Sequence, residues 1–140
     1  MSDYQVIEAG SPDSWRDATS PSGAQGKQFV DATLGARYIG LSLNANQPGD
    51  AATRWHSHSQ VEEVYLFWEG RGQMALDDEV VDVGPGTIVR VGPGVWRAWR
   101  ALPDSPGELR WLCIRAGGAD LASIGHDGDF HHPDPLPWAV

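Results

Sequence analysis

The stretch Glu62–Gly94 reads EEVYLFWEGRGQMALDDEVVDVGPGTIVRVGPG. Short runs rich in Val, Tyr, Leu and Phe alternate with clusters of Gly, Pro and Asp at close intervals. This is the pattern of short strands joined by tight turns, with no sustained helical period. It predicts strands at 64–68, 73–76, 80–83 and 87–91. Turns fall at Gly70–Gly72, Asp77-Asp78, Gly84-Pro85-Gly86 and Gly92-Pro93-Gly94, each built from residues that tolerate positive φ or preset a bend. Working outward, the same reading gives strands at 38–43, 53–58, 95–99 and 109–115, with turns at Gln47-Pro48-Gly49-Asp50 and 103–107. So many short strands must close on themselves or pack as two sheets, because open edges invite pairing with other chains. A jelly roll or small barrel is the expected architecture.

The flanks read differently. Residues 1–30 are expected to wrap the body; within them, 10–26 is rich in Ser, Pro, Gly and Asp. Residues 120–124 have the makings of one helical turn. The Pro- and His-rich tail, 125–140, carries Phe130, Leu136 and Trp138 and is expected to dock rather than float. Residues 1–140 thus form a single expected domain, the size of one ordinary globular unit.

Ten Lys and Arg against 19 Asp and Glu give a formal net charge of −9. Such a surface repels phosphate backbones and anionic membranes, so neither nucleic acid nor membrane is the expected partner. Cys113 is the only cysteine, which excludes an internal disulfide and a thiolate metal cluster. The N-terminus shows no basic-then-apolar leader and no apolar run reaches membrane-spanning length, so the expected compartment is cytoplasmic.

Chemistry concentrates just before the opening stretch, in RWHSHSQVEE, 54–63. Strand side chains alternate faces, so His56 and His58 point one way and Ser57 the other. If the strand after the next turn pairs antiparallel with this one, a glutamate returns over both imidazoles. Two neutral imidazoles and one carboxylate on one side of an ion, with open positions opposite, suit a divalent transition metal such as Fe, Mn, Ni or Zn. A surface histidine pair with Glu62 and Glu63 solvated is the blander reading of the same residues.

These residues resemble the first motif of the cupin family. Gly49 precedes His56-Ser57-His58 with one residue more than the family's usual spacing. Four residues then lead to Glu63, and six more to Gly70. With Glu62 as the ligand, the closing position would be Glu69, so Glu63 is the expected ligand. The second motif is kept in turn type, from Gly86 through TIVRV to Gly92-Pro93-Gly94, but its histidine position holds Arg97. The chain is similar to short single-domain bacterial cupins with Arg-x-Trp here, as Arg97-Ala98-Trp99. The resemblance spans about residues 38–116 and implies an all-β double-stranded β-helix, the cupin jelly-roll barrel.

Arginine stays protonated and cannot ligate a metal. Three arrangements remain open: a metal held by His56, His58 and Glu63 with water; a shell completed by His126, His131 or His132 of the tail; or an Arg97–Glu63 ion pair with no metal. In the first two, Arg97 is expected to grip an anionic substrate group, since its planar fork matches a carboxylate. Tyr65 shares a strand face with Glu63 and is expected at the pocket floor as a second catalytic candidate. Cys113 reads as a small buried hydrophobe.

The expected function is a metal-dependent enzyme of dioxygenase, isomerase or decarboxylase type acting on a small anionic or oxygenated molecule. The alternative is a non-catalytic small-molecule-binding barrel. Edge strands and exposed aromatics make a homodimer the expected assembly.

Overall fold

Three turns carry a proline followed by a positive-φ glycine: Pro48-Gly49, Pro85-Gly86 and Pro93-Gly94, with glycine φ of 91°, 87° and 85°. Proline presets the second corner of a type II turn and glycine accepts the left-handed third. In the computed structural model, which describes residues 2–139, these turns reverse the chain between short strands.

The strands are β1 (Lys27–Phe29), β2 (Gly40–Asn46), β3 (Ser57–His58), β4 (Glu62–Glu69), β5 (Gly72–Leu76), β6 (Glu79–Val83), β7 (Ile88–Val91), β8 (Arg97–Ala101), β9 (Leu109–Ala116) and β10 (Gly128–Asp129). They form a five-stranded sheet in the order β1-β2-β9-β4-β7, a three-stranded sheet β6-β5-β8 and a two-stranded pair β10-β3. Every pairing is antiparallel. The two larger sheets meet through one buried cluster. Tyr65, Phe67, Val91, Leu109, Trp111 and Cys113 come from one sheet, and Met74, Val83 and Ala101 from the other. The fold is the expected all-β barrel of facing sheets.

Both outer faces are covered by the chain's own ends. A 3-10 helix, Pro12–Asp17, capped by the Ser11 side chain, lays Trp15 on Leu43 and Ala45, edge-on to Trp68 at 5.4 Å. At the other end, Leu136 packs with Trp55, Ala75 and Ala98 on the back of the small sheet. The tail docks, as its apolar residues predict, and Trp138 Nε1 donates to the Ala52 carbonyl at 3.3 Å. One helical turn, α1 (Asp31–Leu34), was not expected; the other, α2 (Leu121–Ile124), lies where it was. Among the described residues, no helix is long and apolar enough to cross a membrane.

Two sequence readings need correction. Residues 53–58 pair as a strand only at Ser57–His58, with one isolated bridge at His56 and another just before the stretch at Ala51. And the strand read at 38–43 runs instead over Gly40–Asn46, with its polar residues facing inward. Leu41, Leu43 and Ala45 face the N-terminal segment, while buried Ser42, Asn44 and Asn46 take the opposite, inward positions. A polar inner wall needs internal partners. Asn44 Nδ2 donates to Ser42 Oγ and the Trp111 carbonyl, and Trp111 Nε1 donates to Asn46 Oδ1.

Candidate metal centre

His56 is anchored by a two-bond bridge to Arg97. Its N–H donates to the Arg97 carbonyl at 3.1 Å, and the Arg97 N–H donates back at 2.9 Å. This seats the histidine segment against β8 of the small sheet, while β3 pairs with β10 from the tail. Glu63 stands on β4, whose ladder partners are β7 and β9. The antiparallel pairing expected between the histidine strand and the glutamate strand therefore does not occur. The three side chains meet across the barrel instead.

They do meet. One donor atom from each of His56, His58 and Glu63 lies within 4.8 Å of the others. Both imidazole Nε2 atoms face Glu63 Oε1, at 3.5 Å and 3.7 Å. Donors of this kind and spacing can hold a divalent ion.

The surroundings prepare each donor. His58 Nδ1 sits 2.7 Å from Asp127 Oδ1. That contact orients the ring with Nε2 facing Glu63; the tautomer with its proton on Nδ1 is the one a metal at Nε2 requires. Asp127 is itself fixed by the backbone N–H groups of Gln60 and Val61 at 2.7 Å and 2.9 Å. Burial works against its charge, but those donors and His58 outweigh it and hold its carboxyl below the usual range. Burial lowers the pKa of His56, helped by the charge of Arg97 and opposed by Glu63, so the imidazole is neutral near pH 7. Burial also opposes ionisation of Glu63. Its hydrogen bond with His56 and the charge of Arg97 prevail and keep it well below the ordinary carboxylate range.

Both oxygens of Glu63 are held from beneath. Tyr65 Oη donates to Oε1 at 2.7 Å, and Cys113 Sγ donates to Oε2 at 3.2 Å. Burial and the Glu63 charge push both Tyr65 and Cys113 well up, so each keeps its proton and serves as a donor. Cys113 is thus buried as expected, but with a polar duty its strand pattern does not reveal.

Arg97 is where the expectation changes most. Its side chain is 0% exposed, with Nε 3.1 Å from Glu63 Oε1 and Nη1 donating to the Val95 carbonyl at 2.7 Å. The Nε contact is close but poorly aimed, and Nε and Nη2 have no hydrogen-bond partner among the described residues. The cavity beside the centre, about 580 Å³, is lined by Tyr65, Trp99, Trp111 and Cys113 among others, but not by Arg97. A fully buried guanidinium outside the cavity wall is badly placed to clamp a substrate. It sits as a counter-charge to Glu63. The tail histidines also stand apart from the cluster. His131 is 93% exposed and bonded to Asp129, and His132 packs between Trp55 and Trp96 at ring distances of 5.0 Å and 4.8 Å. His126 is neither in the cluster nor on the cavity wall. What the tail contributes is Asp127, and Phe130 stacked on His56 at 5.8 Å.

Two facing antiparallel sheets with a His-His-Glu cluster between them define the double-stranded β-helix class. The family described as Cupin domain matches residues 45–115, half of the chain, and the chain belongs to the cupin family. Among solved structures, the chain is similar to a cupin protein from Bacteroides fragilis, at 25% identity and a TM-score of 0.69, over 84% of this chain and 87% of that one. It is similar in fold to a conserved double-stranded β-helix protein from Klebsiella pneumoniae, at 14% identity and a TM-score of 0.65, over 91% and 99% of the two chains. A cupin-like protein from Thermotoga maritima matches at 20% identity and a TM-score of 0.54, over 68% and 76%. No curated protein matches the sequence.

Proposed function

We propose that the protein is a metal-dependent enzyme that binds a small organic anion in the barrel, with His56, His58 and Glu63 as the metal ligands. The observation that carries this reading is the convergence of one donor atom each from His56, His58 and Glu63 within 4.8 Å, with Asp127 Oδ1 2.7 Å from His58 Nδ1 to orient that ring. A surface histidine pair does not need a buried carboxylate to orient it. When bound, a divalent ion would supply Lewis acidity at a substrate oxygen.

The chain's own residues do the rest. Asp127 orients one ligand, and Tyr65 and Cys113 orient another. Arg97 keeps Glu63 ionised without touching the cavity. Tyr65 lines the cavity and its Oη donates to Glu63 Oε1, so it is the side chain assigned to hold that ligand beside a bound molecule.

A second reading is favoured by the 3.1 Å approach of Arg97 Nε to Glu63 Oε1. A carboxylate already facing a buried cation needs no metal, and the barrel would then be a non-catalytic binding pocket.

Elemental analysis of protein purified without chelator separates the two. About one equivalent of iron, manganese, nickel or zinc per chain is expected, lost in His56→Ala and retained in Tyr65→Phe. A wild type that arrives without metal, and whose thermal midpoint is unmoved by added Fe²⁺, Mn²⁺, Ni²⁺ or Zn²⁺, would overturn the metal reading in favour of the pocket.

A further inference from the structure

Lys27 lies on the first strand of the large sheet, outside every motif considered above. It projects into the same cavity as His56, His58 and Glu63. Its Nζ donates to Ser42 Oγ at 3.2 Å and to Asn44 Oδ1 at 3.1 Å. It also stands over two aromatic faces, 5.1 Å from the Phe29 ring centroid and 5.2 Å from that of Trp111. An ammonium has three N–H donors, and only two have protein acceptors. Among the described residues no carboxylate lies within ion-pair distance of it.

This is an unusual place for a lysine. A cation withdrawn from water is normally paired. Here neutral oxygens and π faces hold the amino group in position on the cavity wall; burial lowers its pKa, and the charge of Glu63 acts against that. The polar inner face of β2 supports this, since Ser42 and Asn44 are the inward residues that seat it. The remaining cationic side chains on the wall are Arg54 and Arg115. Arg115 has an acidic neighbour in Asp31 at 3.6 Å, and Arg54 lies over Phe130 at 4.0 Å. The cavity of a chain with net charge −9 thus presents Lys27, Arg54 and Arg115 against only Glu63 and Asp50.

We infer that Lys27 is the specificity-determining anchor of an acid subsite, and that the ligand is an organic acid whose carboxylate pairs with Lys27 while a second oxygen function reaches His56, His58 and Glu63. The second half of that statement rests on the metal reading; the first does not. Lysine acts as a point charge with rotatable donors, so the ammonium sets the charge of the ligand. Distance from the histidine cluster sets its length. Aromatic walls at Phe29, Trp99 and Trp111 suit an apolar linker between the two ends.

The test is calorimetric titration of the purified protein with malonate, succinate, glutarate and adipate. Wild type is expected to prefer one length. Lys27→Met is expected to bind that acid at least tenfold more weakly, and Lys27→Arg only a few-fold more weakly. Lys27→Gln, which keeps polar contact with Ser42 and Asn44, serves if Lys27→Met does not fold, and is expected to show the same loss. In His56→Ala the length preference should vanish while the dependence on Lys27 stays. Metal-free wild type with Lys27-dependent binding would sink the metal reading and leave the acid subsite standing. Metal-loaded protein that binds all four acids equally with and without Lys27 would overturn the subsite alone, as would wild type that binds none of them at millimolar concentration.

Discussion

Asp127 does for His58 what no residue near it in sequence could do. Its carboxylate is 1% exposed, accepts two backbone N–H groups from the turn between β3 and β4, and closes on Nδ1. Removing the charge should therefore act on the metal before it acts on the fold. Asp127→Asn is expected to weaken metal binding by roughly 10- to 100-fold, the usual range for losing a histidine's outer partner, as read by competition with a chromophoric chelator. The same variant has a pH signature. A carboxyl held below its unfolded value near 3.9 stabilises the fold above that pH, and the stability is lost as pH falls through the lower folded value. The gap in thermal midpoint between wild type and Asp127→Asn should be widest near neutrality and narrow below about pH 4. A gap that is constant from pH 3 to pH 7 would show that the carboxylate's charge contributes nothing.

At the scale of turns and strands, glycines that look alike in sequence are held for different reasons. Gly70 and Gly49 have φ of +81° and +91°, but a Cβ on Gly70 would lie 2.4 Å from the Glu108 carbonyl oxygen, while Gly49 faces open space. Gly49→Ala should cost only the left-handed penalty, about 1–2 kcal/mol. Gly70→Ala adds a backbone collision and should exceed about 3 kcal/mol. Urea denaturation of the two variants checks this; equal losses would mean that the β4–β5 turn relaxes freely. These turns are also why the fold was legible. Pro-Gly and Asp-Asp corners punctuate 62–94 so closely that the strands between them have little freedom. Where punctuation thins, the reading slips. Tyr38 and Ile39 fall in the run read as a strand yet are exposed, and Asn44 and Asn46, beyond that run, are buried in the strand. The spacing of His56, His58 and Glu63 is local and could be read. Lys27 and Asp127 could not, because their partners are brought to them by β1–β2 pairing and by a tail that folds back over 69 positions.

Taken whole, the molecule covers its two sheet faces with its own termini but leaves edges open. Strand β7 ends the five-stranded sheet and β6 ends the three-stranded one, and each shows an exposed aliphatic residue: Ile88 at 63% and Val80 at 45%. An edge of this kind carries unpaired backbone groups, and an apolar side chain beside them favours a second strand over solvent. The N-terminal segment packs through Trp15 on β2 and the tail through Leu136 behind β8, so neither of these contacts covers β7. A second copy of the chain would cover it, and a homodimer joined at β7 is the proposal to test. Light scattering should give two chains per particle in wild type and one in Ile88→Lys. A surface change to lysine shifts the stability of an isolated chain by only about 0.5 kcal/mol, so loss of pairing would not be confused with unfolding. Wild type that elutes with the mass of one chain at high concentration would leave β7 a solvated edge. The exposure of Ile88 would then be no more than the scattered apolar surface that monomers ordinarily carry.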